Sequence, residues 1–265
     1  MSKIESAEAI LHYAVSGKAD GPPLVLAHSL GSGMRMWEKV LPAFEERFQV
    51  VRYDLRGHGE SSTPHGPYSV EQLGGDLIWL MDAVGVSRAH ICGLSLGGLV
   101  AMWMGIHAAD RVERIVLANT AARIGTRDGW EQRILAVREY GMESIASQTP
   151  GRWFTETYRA RCPDEMESIR QMVASTPPEG YIACCAALRD ADLMDQIHSI
   201  DAPCLVVAGT HDPATTLQDG QTLHGALRRS TFVELDASHL SAWERYEEFS
   251  QAVLSFLCQE EKRHG

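Results

Sequence analysis

The sequence predicts an α/β fold, with a mostly parallel central sheet, helices on both faces and an inserted helical cap. Three observations predict it. Short apolar runs alternate with helical patterns from the N-terminal end to about residue 120, the signature of βα units. Between about 122 and 197 that rhythm stops and helical patterns dominate. Strand signals then resume at Ala202. A chain of 265 residues is long enough for one sizeable core plus an insertion. The expected organisation is therefore a core of residues 1–121 and 198–265, interrupted by a helical cap over 122–197.

The elements follow in order. Residues 10–15 alternate apolar and polar, as in an initial antiparallel hairpin. Residues 23–27 read as a buried strand that opens into His28-Ser29-Leu30-Gly31-Ser32-Gly33. Residues 48–53 form the next strand and lead to Asp54-Leu55-Arg56-Gly57-His58-Gly59, read as a tight structural loop. Val70, Leu73, Leu77, Leu80, Met81 and Val84 fall at helical spacing. An apolar run ends in Gly93-Leu94-Ser95-Leu96-Gly97, and residues 114–118 form a further strand ending in Asn119-Thr120. Trp130, Ile134, Val137, Trp153, Phe154, Ile169, Met172, Tyr181 and Ile182 mark the helical stretch, which Pro163 and Pro177-Pro178 punctuate. Residues 203–209 and 230–235 read as the last strands, and residues 242–257 as one amphipathic final helix. There are no repeats, low-complexity tracts or flexible linkers.

The chemistry concentrates at three strand ends. Gly-x-Ser-x-Gly between a strand and a helix is a nucleophile elbow, a strained turn that exposes the serine hydroxyl at a helix N-terminus. Ser95 is the expected nucleophile. Asp212, just past the 203–209 strand, is the expected acid, and His239, after the 230–235 strand, the expected base. The order serine, acid, histidine is the one that accompanies such an elbow. Each residue alone has a structural explanation: a turn serine, a turn-capping aspartate before Pro213, a surface histidine. Together, at three strand ends, they form a triad. Asp236 stands only three residues before His239, too close along the chain to orient it. The backbone N–H groups of Leu30 and Leu96 are the expected oxyanion donors. His28 is read as supporting their loop through a side-chain hydrogen bond.

Composition narrows the partners. With 22% charged residues the chain is ordinary for a globular protein, but its net charge of −11 argues against nucleic acid or an anionic membrane as partner. No apolar run approaches the length of a membrane helix. The first residues, Met1-Ser2-Lys3-Ile4-Glu5-Ser6, lack the apolar stretch of a signal peptide, so a cytoplasmic location is expected. The six cysteines show neither metal-ligand spacing nor a C-x-x-C pair, and no H-E-x-x-H occurs, so no metal is expected. A small-molecule substrate is the expected partner, and homo-oligomerisation stays open.

The chain resembles α/β-hydrolases over essentially its full length, and among them it is similar to the 3-oxoadipate enol-lactonases of bacterial aromatic-acid catabolism. The resembling segments are Ser29-Leu30-Gly31 with Met36-Trp37, Val51-Arg52-Tyr53-Asp54 through Gly59, and Gly66-Pro67-Tyr68-Ser69-Val70-Glu71-Gln72-Leu73. Further matches are Gly93 through Gly98, Ala118-Asn119-Thr120-Ala121-Ala122 and Ala186-Ala187-Leu188-Arg189-Asp190-Ala191-Asp192. The family's first loop usually reads Asn-Ser-Leu-Gly-Thr-Asp, whereas this chain has His28-Ser29-Leu30-Gly31-Ser32-Gly33. Backbone donation survives that change. The resemblance implies ring opening of an enol-lactone through an acyl-enzyme without a cofactor. The acetate arm of such a lactone calls for a cation, and an arginine suits it. Arg133 and Trp153 are the candidate pocket residues, and Arg189 is a second candidate cation. Surface or intracap ion pairing is the competing explanation for either arginine, and core packing for Trp153. Two other functions remain open: another esterase, lactonase or carbon–carbon bond hydrolase on this scaffold, and a ligand-binding receptor without turnover.

Overall fold

The computed structural model describes residues 2–6 and 8–259; the other positions of the expected core, 1, 7 and 260–265, lie outside the described residues. Its eight strands are β1 (Ser2–Glu5), β2 (Ile10–Gly17), β3 (Pro23–Ala27), β4 (Gln49–Tyr53), β5 (Ala89–Leu94), β6 (Val112–Ala118), β7 (Cys204–Gly209) and β8 (Ser230–Leu235). They form one sheet in the order β1-β2-β4-β3-β5-β6-β7-β8. The pairs β1–β2 and β2–β4 are antiparallel, and every later pair is parallel. Every residue of β5 and β7 is buried, as strands covered on both faces require. β1 lies at an edge and is largely exposed.

Two helices flank the sheet centre. Val70–Ala83 starts at a capping box in which Ser69 and Gln72 satisfy each other's backbone N–H groups. Leu96–His107 follows β5 directly and is apolar nearly all round, because the sheet and its neighbours cover it on most sides.

Between β6 and β7 the chain is wholly helical in its regular structure. Arg127–Tyr140, Pro163–Ala174 and Pro178–Asp190 are the long helices, with Glu143–Ala146, Thr149–Trp153 and Glu156–Arg161 as short ones between the first two. Pro163 and Pro178 open helices rather than break them, occupying first-turn positions where no N–H is needed. Two carboxylates tie this segment to the core. Glu165 accepts from Lys39 Nζ at 2.7 Å, Tyr158 OH at 2.7 Å and Trp243 Nε1 at 2.6 Å. Glu244 accepts from the Ser238 N–H at 3.0 Å and from both the N–H and the hydroxyl of Thr155.

Glu244 also explains a departure from expectation. The final helix is not continuous over 242–257 but divides into Ser241–Glu244 and Tyr246–Leu257 around Arg245. Helical periodicity covers both pieces, so the sequence pattern alone does not expose the break. Arg245 leaves the helix to donate to the Asp236 carbonyl at 2.8 Å, and Glu244 beside it points inward. Among the described residues no helix is long and apolar enough to cross a membrane. All six cysteines are free and four are buried.

Candidate active site

Ser95 sits between the end of β5 and the start of the helix Leu96–His107, at φ 57° and ψ −115°. For a non-glycine residue this is a strained conformation, held only when the surroundings over-determine it. The surroundings do so here. Ser95 N–H donates to the Ala118 carbonyl at 3.0 Å, and Thr120 Oγ1 donates to the Ser95 carbonyl at 2.8 Å. The flanking glycines permit the approach: a Cβ on Gly93 would lie 2.1 Å from the Gly97 carbonyl oxygen, and one on Gly97 2.1 Å from that of Ala27.

Asp212 and His239 lie past the ends of β7 and β8, and the parallel pairing of these strands brings them together. His239 Nδ1 is 2.7 Å from Asp212 Oδ2. The same carboxylate accepts from Asn119 Nδ2 at 3.0 Å, Thr215 Oγ1 at 2.7 Å and the Ala214 N–H at 2.8 Å. Burial pushes the Asp212 carboxyl up, but the charge and hydrogen bond of His239, with Asn119 and Thr215, outweigh it and hold the group below the usual range. An ionised carboxylate only accepts, so Nδ1 of His239 carries the proton and Nε2 keeps its lone pair. Ser95 and His239 line one cavity. Among the described residues Ser95 Oγ makes no hydrogen bond; such contacts are often long without substrate and tighten on binding.

The loop after β3 carries Leu30, the expected second oxyanion donor. Among the described residues, the N–H groups of Leu30 and Leu96 reach no protein acceptor, whereas those of Ser29, Gly31, Ser95 and Gly98 do. Two buried histidines hold the loop. Gly31 N–H donates to His58 Nε2 at 2.9 Å, and Leu55 N–H donates to His28 Nε2 at 2.8 Å. His28 in turn donates through Nδ1 to the Ser29 carbonyl at 2.8 Å. Both rings must stay neutral to accept. Burial lowers both, and His58, with His28 beside it, is pushed down to about 3. His28 thus supports the loop as its position suggested.

The cavity, of about 210 Å³, lies between this loop and the helical segment. Arg133 and Trp153 both line it, as do Trp130, Arg152 and Tyr181. Trp130 Nε1 is spent on the Ile124 carbonyl at 2.6 Å, and its ring supports the Arg133 guanidinium at 5.4 Å. Arg189 is excluded: it is bonded to Glu131 at 2.6 Å and to Asp190, an ion pair within the helical segment. Asp236 likewise pairs with His211 and Arg245 rather than with His239.

Several residues around the site carried no such expectation. Asn119, at φ 42°, stands where β6 ends and bridges Asp212, the Ser238 carbonyl and Ser241. An asparagine ending a buried strand was its one sequence signal. Glu244, Arg152 and His58 had none, because their partners lie far along the chain.

The comparisons with known proteins agree with this fold. The model of the alpha/beta hydrolase fold family matches residues 22–246. The chain is 42% identical over 243 residues to "3-oxoadipate enol-lactonase 2" of Acinetobacter baylyi, covering 92% of this chain and 91% of that one. It is 37% identical over 247 residues to "3-oxoadipate enol-lactonase 1" of the same organism, covering 93% and 92%. The crystal structure of the enol-lactonase from Burkholderia xenovorans LB400 matches with a TM-score of 0.94 at 42% identity, over 96% of this chain and 99% of that one.

Proposed function

The chain belongs to the alpha/beta hydrolase fold family, and from that premise we propose that it is a serine hydrolase opening the ring of 3-oxoadipate enol-lactone to give 3-oxoadipate. The observation that carries this is the cavity. Ser95, His239 and Leu30 border it on one side, and its other wall presents guanidinium groups with no Asp or Glu among the lining residues. A lactone with a free acetate arm requires that combination. The relatives named for this activity, which match over nearly the whole chain, support the same substrate.

Ser95 Oγ attacks the lactone carbonyl as His239 Nε2 takes its proton, and Asp212 stabilises the resulting imidazolium. The N–H groups of Leu30 and Leu96 receive the oxyanion; losing one such donor typically costs ~10²–10³ in rate. The ring C–O bond breaks and the enol oxygen leaves, taking the proton back from His239. Water activated by His239 then releases the acyl group, and the enol tautomerises to the ketone. The reaction needs no cofactor. Arg133 holds the acetate carboxylate and Trp153 packs beside the ring. Residues 122–197 act as a cap that roofs the cavity and excludes water, over a core of residues 1–121 and 198–265.

Turnover of freshly generated 3-oxoadipate enol-lactone, with Ser95→Ala in parallel, tests this directly. Fast hydrolysis by the parent and a ~10⁴-fold or greater loss in the variant are expected. Negligible lactone turnover beside good hydrolysis of simple activated esters would overturn the substrate while leaving a serine esterase.

A further inference from the structure

Arg152 contributes a second guanidinium to the cavity. Arg127, Arg170 and Arg189 of the same helical segment each pair with a carboxylate. Among the described residues Arg133 and Arg152 pair with none; Arg138, Arg159 and Arg161 also lack a carboxylate partner, but of these five only Arg133 and Arg152 line the cavity. Burial, and then the charge of Arg133, outweigh the opposing charge of Asp212 and hold the Arg152 guanidinium below its usual range. Two guanidinium groups lining one cavity with no carboxylate paired to either are costly unless a ligand neutralises them. Arg152 is also anchored to the loop that carries His239. Its carbonyl accepts from Ser238 Oγ at 3.0 Å, and the next carbonyl, of Trp153, accepts from the Leu240 N–H at 3.0 Å. These bonds fall on either side of His239 and fix the Arg152 backbone beside the loop that carries it, whereas the Arg133 guanidinium rests on Trp130.

Resting on the cavity assigned above as the substrate site, we propose that Arg133 and Arg152 together form a dicarboxylate site in which Arg152 is the specificity-determining member. Ring opening turns a lactone with one carboxylate into an acid with two. The new carboxylate is released at Ser95, the end that Arg152 serves. The pair therefore selects substrates bearing an acid arm, and it retains the dicarboxylate product more tightly than any monocarboxylate of equal length.

Calorimetric titration with adipate and with hexanoate, both six-carbon acids, measures this without any turnover. The parent is expected to bind adipate about tenfold or more tightly than hexanoate. Arg152→Gln and Arg133→Gln are each expected to bring that ratio close to one. Arg170→Gln, exposed and paired with Glu143 and Glu167, should preserve it. General damage to the cavity would weaken both acids alike and leave the ratio standing, so the ratio reports the charge pair. If Arg152→Gln fails to fold, Arg152→Lys retains the charge without the bidentate fork and should give an intermediate ratio. A parent ratio near one, or a ratio unchanged in either Arg152 variant, overturns the proposal. Selectivity for adipate in a parent that leaves the enol-lactone intact would keep the dicarboxylate site and discard the lactone. Lactone turnover with no such selectivity would do the reverse.

Discussion

His58 shows how one residue couples the site to pH. Its Nε2 lone pair satisfies the Gly31 N–H, so it must remain neutral. Burial lowers its folded pKa to about 3, while an unfolded histidine titrates near ~6.5. Below that ordinary value the unfolded chain binds the proton and the native one does not. Stability therefore falls as pH drops through the window from ~6.5 to about 3, by up to roughly 1.4 kcal/mol per unit. His58→Gln, which offers an acceptor without titrating there, is expected to reduce that slope in urea melts recorded between pH 4 and 7, the remainder coming from His28 and His90, which burial also lowers. An unchanged slope would place the titration elsewhere. Residues such as His58, Asn119 and Glu244 were illegible as site components because the partner that gives each its role lies 27, 93 and 89 positions away. Ser95, Asp212 and His239 were legible because strand ends and flanking turns mark them locally.

At the scale of elements, the junction of greatest consequence joins the helical segment to the loop of His239. Glu244 turns out of an interrupted helix to receive the N–H groups of Ser238 and Thr155. Replacing it with alanine leaves these donors without an acceptor, and unsatisfied buried groups cost ~1–3 kcal/mol each. Glu244→Ala is expected to lower stability by about that amount in chemical denaturation and to reduce kcat more than it raises KM, since the His239 loop loses its tether. A stability loss with kcat intact would confine Glu244 to a structural role. The amphipathic pattern expected over 242–257 holds for Tyr246–Leu257, whereas all four residues of Ser241–Glu244 are buried. Periodicity records which face is buried, and a wholly buried turn has no exposed face to mark the break.

At the scale of the molecule, a strongly acidic protein carries a locally basic cavity. On the proposed reading, the long-range field of −11 opposes an anionic lactone, while Arg133 and Arg152 would attract it only at short range. Salt screens exposed, distant charges far more than enclosed ones, over a Debye length of ~8–10 Å at moderate ionic strength. Raising NaCl in steady-state assays is therefore expected to leave kcat/KM for the anionic lactone level or modestly increased. A steady decline would mean that the two arginines dominate the field at long range. By itself, the sequence determined the α/β alternation, the helical interruption between its two parts and the elbow, because apolar periodicity and turn chemistry are written in contiguous residues. The tertiary structure alone decided what reaches the cavity: that Arg189 is spent on Glu131 while Arg152 pairs with no carboxylate among the described residues, that Asn119 braces Asp212, and that two neutral histidines hold the Leu30 loop. Those assignments depend on which charges and lone pairs meet across distant parts of the chain, and only the packed molecule brings them within bonding distance.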